Sequence, residues 1–274
     1  MKQVPACEYN PMEAIKTNVI GVQNVIECAL KVGVQTVVYT STDKAASPTN
    51  TMGATKLLAE RIMSAAQFTR GPAKTKFATV RFGNILMSRG SVLPLFIEQS
   101  RKGKPLTLTD QSMTRFVMSK ERAVELILQA ARISLGGETF VLKMPVVKIG
   151  DLAQAVAEFY ANDHIEVIGK RPGEKLYEEL MTEEESVRAL EFDEMFGILP
   201  FFGEKAKYQS FYKGLAASAA IRQYSTEDEP VLPYPEVKEM IWHILRQEEA
   251  AYENPNNGRG RLHRPMADTA ASRG

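Results

Sequence analysis

Residues 37–56, VVYTSTDKAASPTNTMGATK, decide the predicted fold of this chain. The β-branched Val37 and Val38 favour a short strand, and the polar run 47–50 (SPTN) then breaks it. A helical pattern follows over 53–68. The stretch therefore predicts a strand, a polar turn and a helix, which is the repeating unit of an α/β protein.

Polar residues lie where this strand ends. Ser41, Thr42, Asp43 and Lys44 precede the turn, and Lys56 comes from the first turn of the following helix. In open α/β sheets, ligands bind at the carboxyl ends of the strands. Asp43 and Lys44 thus offer an acid or base beside a cation. On spacing alone, a solvated surface pair beside a turn explains them equally well.

Helices and strands alternate along the rest of the chain, which indicates a parallel sheet covered by helices. Asn10 and Pro11 begin the first amphipathic helix, and Gly33 ends it. The other predicted strands are 35–41, 76–82, 106–109, 114–118, 139–142 and 165–168, and the other predicted helices are 92–101, 119–133, 149–160, 173–181 and 237–249.

Composition narrows the function. The chain has 274 residues, 44% hydrophobic and 24% charged, with a net charge of +1. This balance argues against a nucleic-acid partner. Cys7 and Cys28 form no disulfide framework, and no apolar run is long enough for a membrane span. The opening residues lack a signal-peptide pattern, so we expect a cytoplasmic protein. The three histidines lie far apart and predict no metal site.

Further polar residues follow the predicted strands. Arginines facing one crevice would suit a diphosphate, because a guanidinium bonds phosphate oxygens in pairs. Taken singly, each of these residues is more often a solvated surface residue. The candidates from this pattern are Asp43, Lys44, Lys56, Asn84, Arg89, Arg115, Arg171 and Glu174.

Five segments together resemble one known family. They are NPMEAIKTNVIGVQNVIECA (10–29), STDKAASPTNTMGATKLLAE (41–60), VRFGNILMSRGSVLPLF (80–96), MTRFVMS (113–119) and IGKRPGEKLYEEL (168–180). Over about residues 1–185 the chain is similar to the nucleotide-sugar 4,6-dehydratases of the extended short-chain dehydrogenase/reductase family. Those enzymes act on UDP-N-acetylglucosamine in polysaccharide biosynthesis.

The resemblance implies an α/β fold, with a partial Rossmann-like parallel sheet that lacks its first strands and a smaller α/β substrate domain. We expect four segments: 1–90 as the second half of the Rossmann-like domain, 91–205 as the substrate-binding portion with interleaved sheet elements, 206–253 as a helical extension and 254–274 as a disordered tail. The family's Gly-rich dinucleotide turn is absent from the sequence. We therefore expect an N-terminally truncated chain that binds NAD or NADP poorly on its own.

The resemblance also implies catalytic roles for Thr42, Asp43 and Lys44, which match the family's T-D-K triplet. In the family, the lysine removes the C5 proton of the sugar and the aspartate helps the C6 hydroxyl to leave. The catalytic tyrosine position holds Met52, whose thioether cannot exchange a proton, so we read it as a packing residue at a catalytic position. Another group must then act on the C4 hydroxyl, with Lys44, Asp43 or a water as candidates.

Binding roles follow from the same match. Lys56 corresponds to the lysine that holds the nicotinamide ribose, Arg115 and Arg171 to residues that grip the UDP diphosphate, and Glu174 to a ribose or uracil contact. The implied cofactor-binding residues are Ser41, Lys56, Arg81, Gly83 and Ile85. The implied substrate-binding residues are Lys2, Asn84, Ser88, Arg89, Val92, Arg115, Arg171 and Glu174.

The expected function is therefore a UDP-sugar 4,6-dehydratase. Two alternatives stay open: a UDP-sugar epimerase of the same fold, and a truncated inactive fragment or interaction domain. The choice between NAD and NADP also stays open. Helices over 12–31 and 53–68 often form the dimer in this family, so we expect a homo-oligomer.

Overall fold

The structure, a computed structural model, describes residues 1–169 and 174–253. Its helices are α1 (Val4–Tyr9), α2 (Pro11–Ile15), α3 (Gly21–Val32), α4 (Thr51–Thr69), α5 (Val92–Arg101), α6 (Lys120–Ile133), α7 (Ile149–Tyr160), α8 (Glu183–Ser186), α9 (Lys205–Phe211) and α10 (Tyr234–Glu253). Its strands are β1 (Thr36–Thr42), β2 (Lys76–Phe82), β3 (Asn84–Ile85), β4 (Leu106–Leu108), β5 (Thr114–Met118), β6 (Thr139–Leu142), β7 (Val146–Lys148), β8 (Ile165–Val167), β9 (Glu179–Met181), β10 (Ala189–Glu191), β11 (Met195–Ile198), β12 (Ala217–Ser218) and β13 (Tyr224–Ser225).

The main sheet confirms the predicted α/β class. Its strand order is β1-β2-β6-β11-β10-β12. The strands β1, β2 and β6 run parallel, and β11 continues the sheet antiparallel to β6. In the described part of the chain, β1 pairs with β2 alone. The segments predicted as 1–90, 91–205 and 206–253 all supply strands to this sheet, and their division stays a prediction.

Two apolar cores hold the helices to the strands. The first core includes side chains of the main sheet itself, and Val80 of β2 and Phe140 and Leu142 of β6 are fully buried in it. The second core joins α5, α7 and α10 around residues such as Leu152 and Ile241. Burying side chains of this size stabilises the fold by about 1.5–3 kcal/mol each. The C-terminal helix α10 is thus part of the folded body.

Two predicted helices differ from the structure. The segment 173–181 was predicted as a helix, and this was wrong: among the described residues, 179–181 form β9, which pairs with β13. Tertiary pairing overrides helix propensity here. The helix predicted from Asn10 to Gly33 is interrupted by a π-helical turn at Lys16–Ile20. The predicted disordered tail, 254–274, lies outside the described residues.

Candidate active site

The Asp43–Lys44 pair lies in a short 3₁₀ turn, Asp43–Ala45, directly after β1. The turn is held against α4, which Asn50 caps by accepting a 2.9 Å hydrogen bond from the Gly53 N–H. A Cβ atom at Gly53 would lie 2.2 Å from the carbonyl oxygen of Lys44. Only glycine therefore lets the helix approach the turn so closely.

Three charged side chains meet at this turn. The Nζ atom of Lys44 lies 2.9 Å from Asp43 Oδ1 and 3.2 Å from Glu178 Oε1. The hydroxyl of Thr42 donates to Asp43 Oδ1 over 2.7 Å. Asp43 and Glu178 are 1% and 3% exposed, whereas a quarter of the Lys44 side chain reaches solvent. One ammonium thus lies between two buried carboxylates.

Burial and neighbouring charges lower the pKa of Asp43 and raise the pKa values of Lys44 and Glu178. Burial alone would raise the pKa of Asp43, but Lys44 and the Thr42 hydroxyl outweigh it and hold that pKa below its usual value. Burial opposes the charge on Lys44, yet Asp43 and then Glu178 raise its pKa. Burial, followed by the charge of Asp43, raises the pKa of Glu178. The site therefore favours a charged Asp43–Lys44 pair beside a carboxyl that takes up a proton readily.

The site also contains polar atoms without partners. Asp43 Oδ2, Glu178 Oε2 and Ser41 Oγ are buried and have no hydrogen-bond partner among the described residues. Buried polar groups are normally bonded, so such atoms mark a place for a ligand or water. The cleft beside Asp43 and Glu178, which is too narrow in this structure to admit a water molecule, is lined by Lys44, Ser47, Thr49, Asn50, Lys175 and Glu178.

Glu178 was missed by the sequence analysis. The residue lies in the quoted segment IGKRPGEKLYEEL, four positions after Glu174, but its neighbour Glu179 is chemically identical. Nothing in the spacing distinguishes the two once the segment is read as a helix. The strand and its pairing decide which carboxylate faces Lys44.

Lys56 and Met52 occupy the first turns of α4. The Lys56 ammonium donates to the Thr40 carbonyl over 2.9 Å and lies 4.5 Å from the centre of the Tyr39 ring. Burial lowers its pKa. Met52 is 4% exposed and packs with Cys7 in a small apolar cluster. Met52 thus has the contacts of the packing residue that the sequence analysis expects at this catalytic position, and its buried thioether exchanges no proton.

Arg81 was assigned to the cofactor, and this assignment is corrected. Its guanidinium is 1% exposed and forms bidentate hydrogen bonds with both Glu60 and Glu185. It also donates to the Leu180 carbonyl over 2.9 Å. All of its donors are engaged, so Arg81 is a structural residue of the interior.

Arg115 also differs from its assignment to the diphosphate. It is 7% exposed, and its guanidinium donates to the carbonyls of Thr114, Leu176 and Lys175 at 2.6, 3.2 and 2.9 Å. Its Nε atom lies 3.7 Å from Glu178 Oε1. The physical role of Arg115 is thus to hold the segment that carries Glu178 in place.

The strand after Arg81 is shaped by packing. A Cβ atom at Gly83 would lie 2.6 Å from the Phe116 Cβ, so glycine lets the chain pass β5. Asn84 and Ile85 then form β3, which pairs with Val117 and Met118 of β5. Ile85 packs against the first core. These contacts explain Gly83 and Ile85 without a cofactor, and Asn84 stays half-buried at the edge of this strand.

The remaining predicted residues lie around the next loop. Lys2 and Arg89 are exposed, and Ser88 accepts a 2.7 Å hydrogen bond from Ser91 through its carbonyl. A Cβ atom at Gly90 would lie 3.0 Å from the Gln3 amide, so this loop lies beside the first residues of the chain. Val92 begins α5. Glu174 is half-buried in the segment leading to Glu178, and Arg171 lies outside the described residues.

A second, open depression of about 720 Å³ lies elsewhere on the surface. It is lined by Glu183, Ile221, Arg222, Gln223, Asp228 and Glu229, and none of these is a predicted site residue. Within residues 1–169 and 174–253, no three His, Cys, Asp or Glu side chains are grouped to hold a metal. No helix in those same ranges combines the length and apolar character needed to cross a bilayer.

The parallel strands β1, β2 and β6 and the helices that pack on them define an α/β protein with a Rossmann-like fold. The chain belongs to the polysaccharide biosynthesis protein family, whose model matches residues 1–200. The predicted relation to the extended short-chain dehydrogenase/reductase family is confirmed.

Two relatives are similar to this chain over most of its length. A Methanocaldococcus jannaschii protein, described as an uncharacterized membrane protein, is 54% identical over 209 residues, covering 73% of this chain and 63% of that protein. A Rickettsia massiliae UDP-glucose 4-epimerase is 41% identical over 243 residues, covering 88% of this chain and 71% of its own. The chain thus spans less than two thirds of the first relative.

Solved structures share the fold. The X-ray structure of Pen from Bacillus thuringiensis aligns with a TM-score of 0.81 and 42% identity, over 89% of this chain and 72% of that one. A dTDP-glucose 4,6-dehydratase from Streptomyces venezuelae with NAD bound aligns with a TM-score of 0.57 and 22% identity, over 64% of this chain and 60% of that one. At that identity the second likeness concerns the fold alone.

Proposed function

We propose that this chain acts on a UDP-sugar as a 4,6-dehydratase, with UDP-N-acetylglucosamine as the first substrate to test, and with Asp43 and Lys44 exchanging protons with the sugar ring. The observation that carries the proposal is the 2.9 Å pair of Asp43 and Lys44 at the end of β1, beside carboxylate oxygens that have no hydrogen-bond partner in residues 1–169 and 174–253. Elimination of water needs one base and one acid close together. The pair supplies both.

The pair interconverts between two states of equal net charge. As a carboxylate and an ammonium, Asp43 and Lys44 bind each other. Transfer of one proton from Lys44 Nζ to Asp43 Oδ1 breaks an N–H bond, forms an O–H bond and leaves an amine beside a carboxylic acid. The amine can then take the C5 proton while the acid protonates the departing C6 hydroxyl. Both residues return to their charged forms, and one water is released.

A nicotinamide dinucleotide, when bound, supplies the hydride acceptor and donor for the sugar. Two residues present fit such a group. Ser41 has a buried hydroxyl with no hydrogen-bond partner among the described residues, and the Lys56 ammonium lies 4.5 Å from the centre of the Tyr39 ring. Arg81 does not fit, because its donors are engaged by Glu60 and Glu185. Ser41 and Lys56 are the residues that would hold the nicotinamide ribose.

A 4-epimerase is the second candidate, and the name of the 41% identical Rickettsia massiliae relative favours it. Epimerisation at C4 needs oxidation and reduction at that carbon but no proton removal at C5. In that case Lys44 would bind and orient the sugar rather than act as a base. The two functions therefore differ in whether C5–H exchanges with solvent.

Incubation of the chain with UDP-N-acetylglucosamine and NAD or NADP in deuterium oxide tests the proposal. A dehydratase yields a product that has lost one water and carries deuterium at C5, as read by mass spectrometry and NMR. An isomer of unchanged mass without deuterium supports the epimerase instead. Absence of any product, with no binding of UDP-sugar by calorimetry, contradicts both.

Replacement of the proposed base sharpens the test. Lys44→Ala should lower the rate of C5–H exchange by about 10²–10⁴-fold while leaving the affinity for the UDP-sugar largely intact. Lys16→Ala is the control, because Lys16 is an exposed lysine paired with Glu13 at 2.8 Å. Exchange at the normal rate in Lys44→Ala removes Lys44 from the role of base.

A further inference from the structure

Glu178 is the third charged residue of the Asp43–Lys44 site, and the proposed elimination does not use it. Its side chain is 3% exposed, and Oε1 lies 3.2 Å from Lys44 Nζ. The other oxygen, Oε2, is buried and has no partner among the described residues. Burying a carboxylate costs free energy, so other contacts of the fold must hold Glu178 in this position.

The backbone around Glu178 fixes that position. Its N–H donates to the Thr226 hydroxyl over 3.0 Å, and its carbonyl accepts from the Thr226 N–H over 2.9 Å. Arg115 donates to the carbonyls of Leu176 and Lys175, two and three residues before Glu178. The residue that follows, Glu179, begins β9 and accepts a hydrogen bond from the Ser47 hydroxyl. The scaffold, and not only attraction to Lys44, therefore places this carboxylate.

Charges reach Lys44 from every element packed around it. Asp43 lies in its own turn, and Glu178 precedes β9. Arg115 of β5 opposes the lysine's charge, and Lys175 lines the same cleft while donating to the Ser47 carbonyl over 2.6 Å. The two carboxylates are the groups in ion-pair contact with Lys44 Nζ in the described chain. Removing either should make the charged form of Lys44 easier to lose.

We propose that Glu178 is a positioning residue that holds Lys44 in its charged form beside Asp43 and so sets the pH at which Lys44 can accept a proton. With Glu178 ionised, its charge lies 3.2 Å from Lys44 Nζ and favours keeping the proton on Lys44. With Glu178 neutral, that attraction is gone. The link to catalysis rests on the proposed function; the link between Glu178 and the charge of Lys44 does not.

Competitive acetylation measures the charge of Lys44 directly. The chain is labelled with trace acetic anhydride across a series of pH values, and mass spectrometry compares the Lys44 peptide with that of exposed Lys16. In Glu178→Gln, the pH midpoint of Lys44 labelling should fall by about one unit or more. The matched control Glu179→Gln changes the adjacent carboxylate, which contacts Ser47, and should leave the midpoint where it is in the wild type.

An unchanged midpoint in Glu178→Gln, or an equal fall in Glu179→Gln, overturns the proposal. Circular dichroism and a urea transition establish that each variant is folded, because an unfolded chain would also lower the Lys44 midpoint. If Glu178→Gln does not fold, Glu178→Met, which is neutral and similar in size, replaces it with the same expectation.

The catalytic consequence is read separately. In the UDP-sugar reaction, the falling limb of the kcat profile, where Lys44 has lost the proton that it must pass to Asp43, should move to lower pH in Glu178→Gln by the same amount as the labelling midpoint, with KM unchanged. Labelling needs neither substrate nor cofactor, so it succeeds or fails independently of the reaction. A shifted labelling midpoint with an unshifted rate profile would contradict Lys44 as the base and leave its relation to Glu178 standing.

Discussion

Two ion clusters of this protein carry the same charges, one cation and two buried carboxylates, but differ in how many carboxylate oxygens are hydrogen-bonded. In each, one cation lies between two carboxylates: Arg81 between Glu60 and Glu185, and Lys44 between Asp43 and Glu178. Every carboxylate oxygen around Arg81 accepts a hydrogen bond from its guanidinium. Around Lys44, one oxygen of each carboxylate accepts no hydrogen bond from the part of the chain that the structure describes.

The clusters are also neighbours. Ser41, two residues before Asp43, is the register partner of Arg81 on β2. Both clusters contact the same segment, because Arg81 donates to the Leu180 carbonyl while Lys44 pairs with Glu178. The carboxylates of both clusters are buried, whereas Arg81 is 1% exposed and Lys44 is 25% exposed, and the clusters also differ in how many carboxylate oxygens are hydrogen-bonded. Saturated charges stabilise a fold, whereas unsaturated ones leave capacity for a ligand or a proton.

The largest effect is expected at the Arg81 cluster, called the saturated cluster because every carboxylate oxygen of Glu60 and Glu185 accepts a hydrogen bond from Arg81. Arg81→Met leaves two buried carboxylates without a cation and should lower the free energy of unfolding by about 3–5 kcal/mol. Urea denaturation measures it. Arg122→Met is the matched control, because Arg122 also binds two carboxylates, Glu125 and Glu194, but is 37% exposed. That change should cost about 0–1 kcal/mol. Equal losses in both variants would show that saturation and burial do not distinguish the arginines.

A smaller difference in the free energy of unfolding is expected between variants that neutralise one carboxylate of each cluster. Glu185→Gln removes charged hydrogen bonds to Arg81 and should cost about 1.5–3 kcal/mol. Glu178→Gln removes a charge that the fold disfavours, so the free energy of unfolding should stay constant or rise by about 0.5–2 kcal/mol. Urea denaturation of both variants near neutral pH gives the two values. A loss in Glu178→Gln as large as that in Glu185→Gln would remove the distinction between the clusters.

The pH dependence of those two variants should have opposite signs. Burial opposes ionisation of Glu185, but Arg81 outweighs it and holds the pKa below the usual 4.5, so its stabilisation is lost only as pH falls through that lowered value. Burial and Asp43 raise the pKa of Glu178 above 4.5, so its cost grows as pH rises through the raised value. The gap between wild type and Glu178→Gln should therefore close toward about pH 4, where the gap to Glu185→Gln persists.

The smallest effect concerns the support of the saturated cluster. Thr182 caps α8, and its hydroxyl and backbone form a capping box with Glu185. Thr182→Ala should cost about 1 kcal/mol, because one helix N–H loses its acceptor while Glu185 keeps Arg81. Thermal denaturation checks this value. The labelling midpoint of Lys44 should not change, and a change would show that the two clusters are coupled.

The sequence predicted the bounds of those helices and strands that short-range patterns determine. Strands 76–82, 114–118 and 139–142 and helices 92–101 and 149–160 have their predicted bounds. The turn after β1 follows from the SPTN run and Gly53, and it puts Asp43 and Lys44 where they were predicted. Periodicity and turn residues carry this information because they act over a few neighbouring residues.

Arginines and acids were harder to assign because their roles depend on distant partners. Arg81 and Arg115 both follow the pattern of ligand-binding residues, yet Arg81 donates to groups 21 to 104 positions away, and Arg115 donates to carbonyls 60 and 61 positions away as well as to that of Thr114. Glu178 and Glu179 are adjacent and identical in type, and only the pairing of β9 separates their contacts. Family resemblance transfers a residue's position but not its hydrogen-bond partners.

The sequence by itself determined the α/β class, the strand–turn–helix around Asp43 and Lys44, and a family-like set of candidate residues, since these depend on short-range spacing and residue type. Only the tertiary structure decided which buried cation is saturated and which carboxylate joins Lys44. The reason is that hydrogen-bond saturation and desolvation arise from contacts between segments far apart in the chain, and no local pattern encodes them.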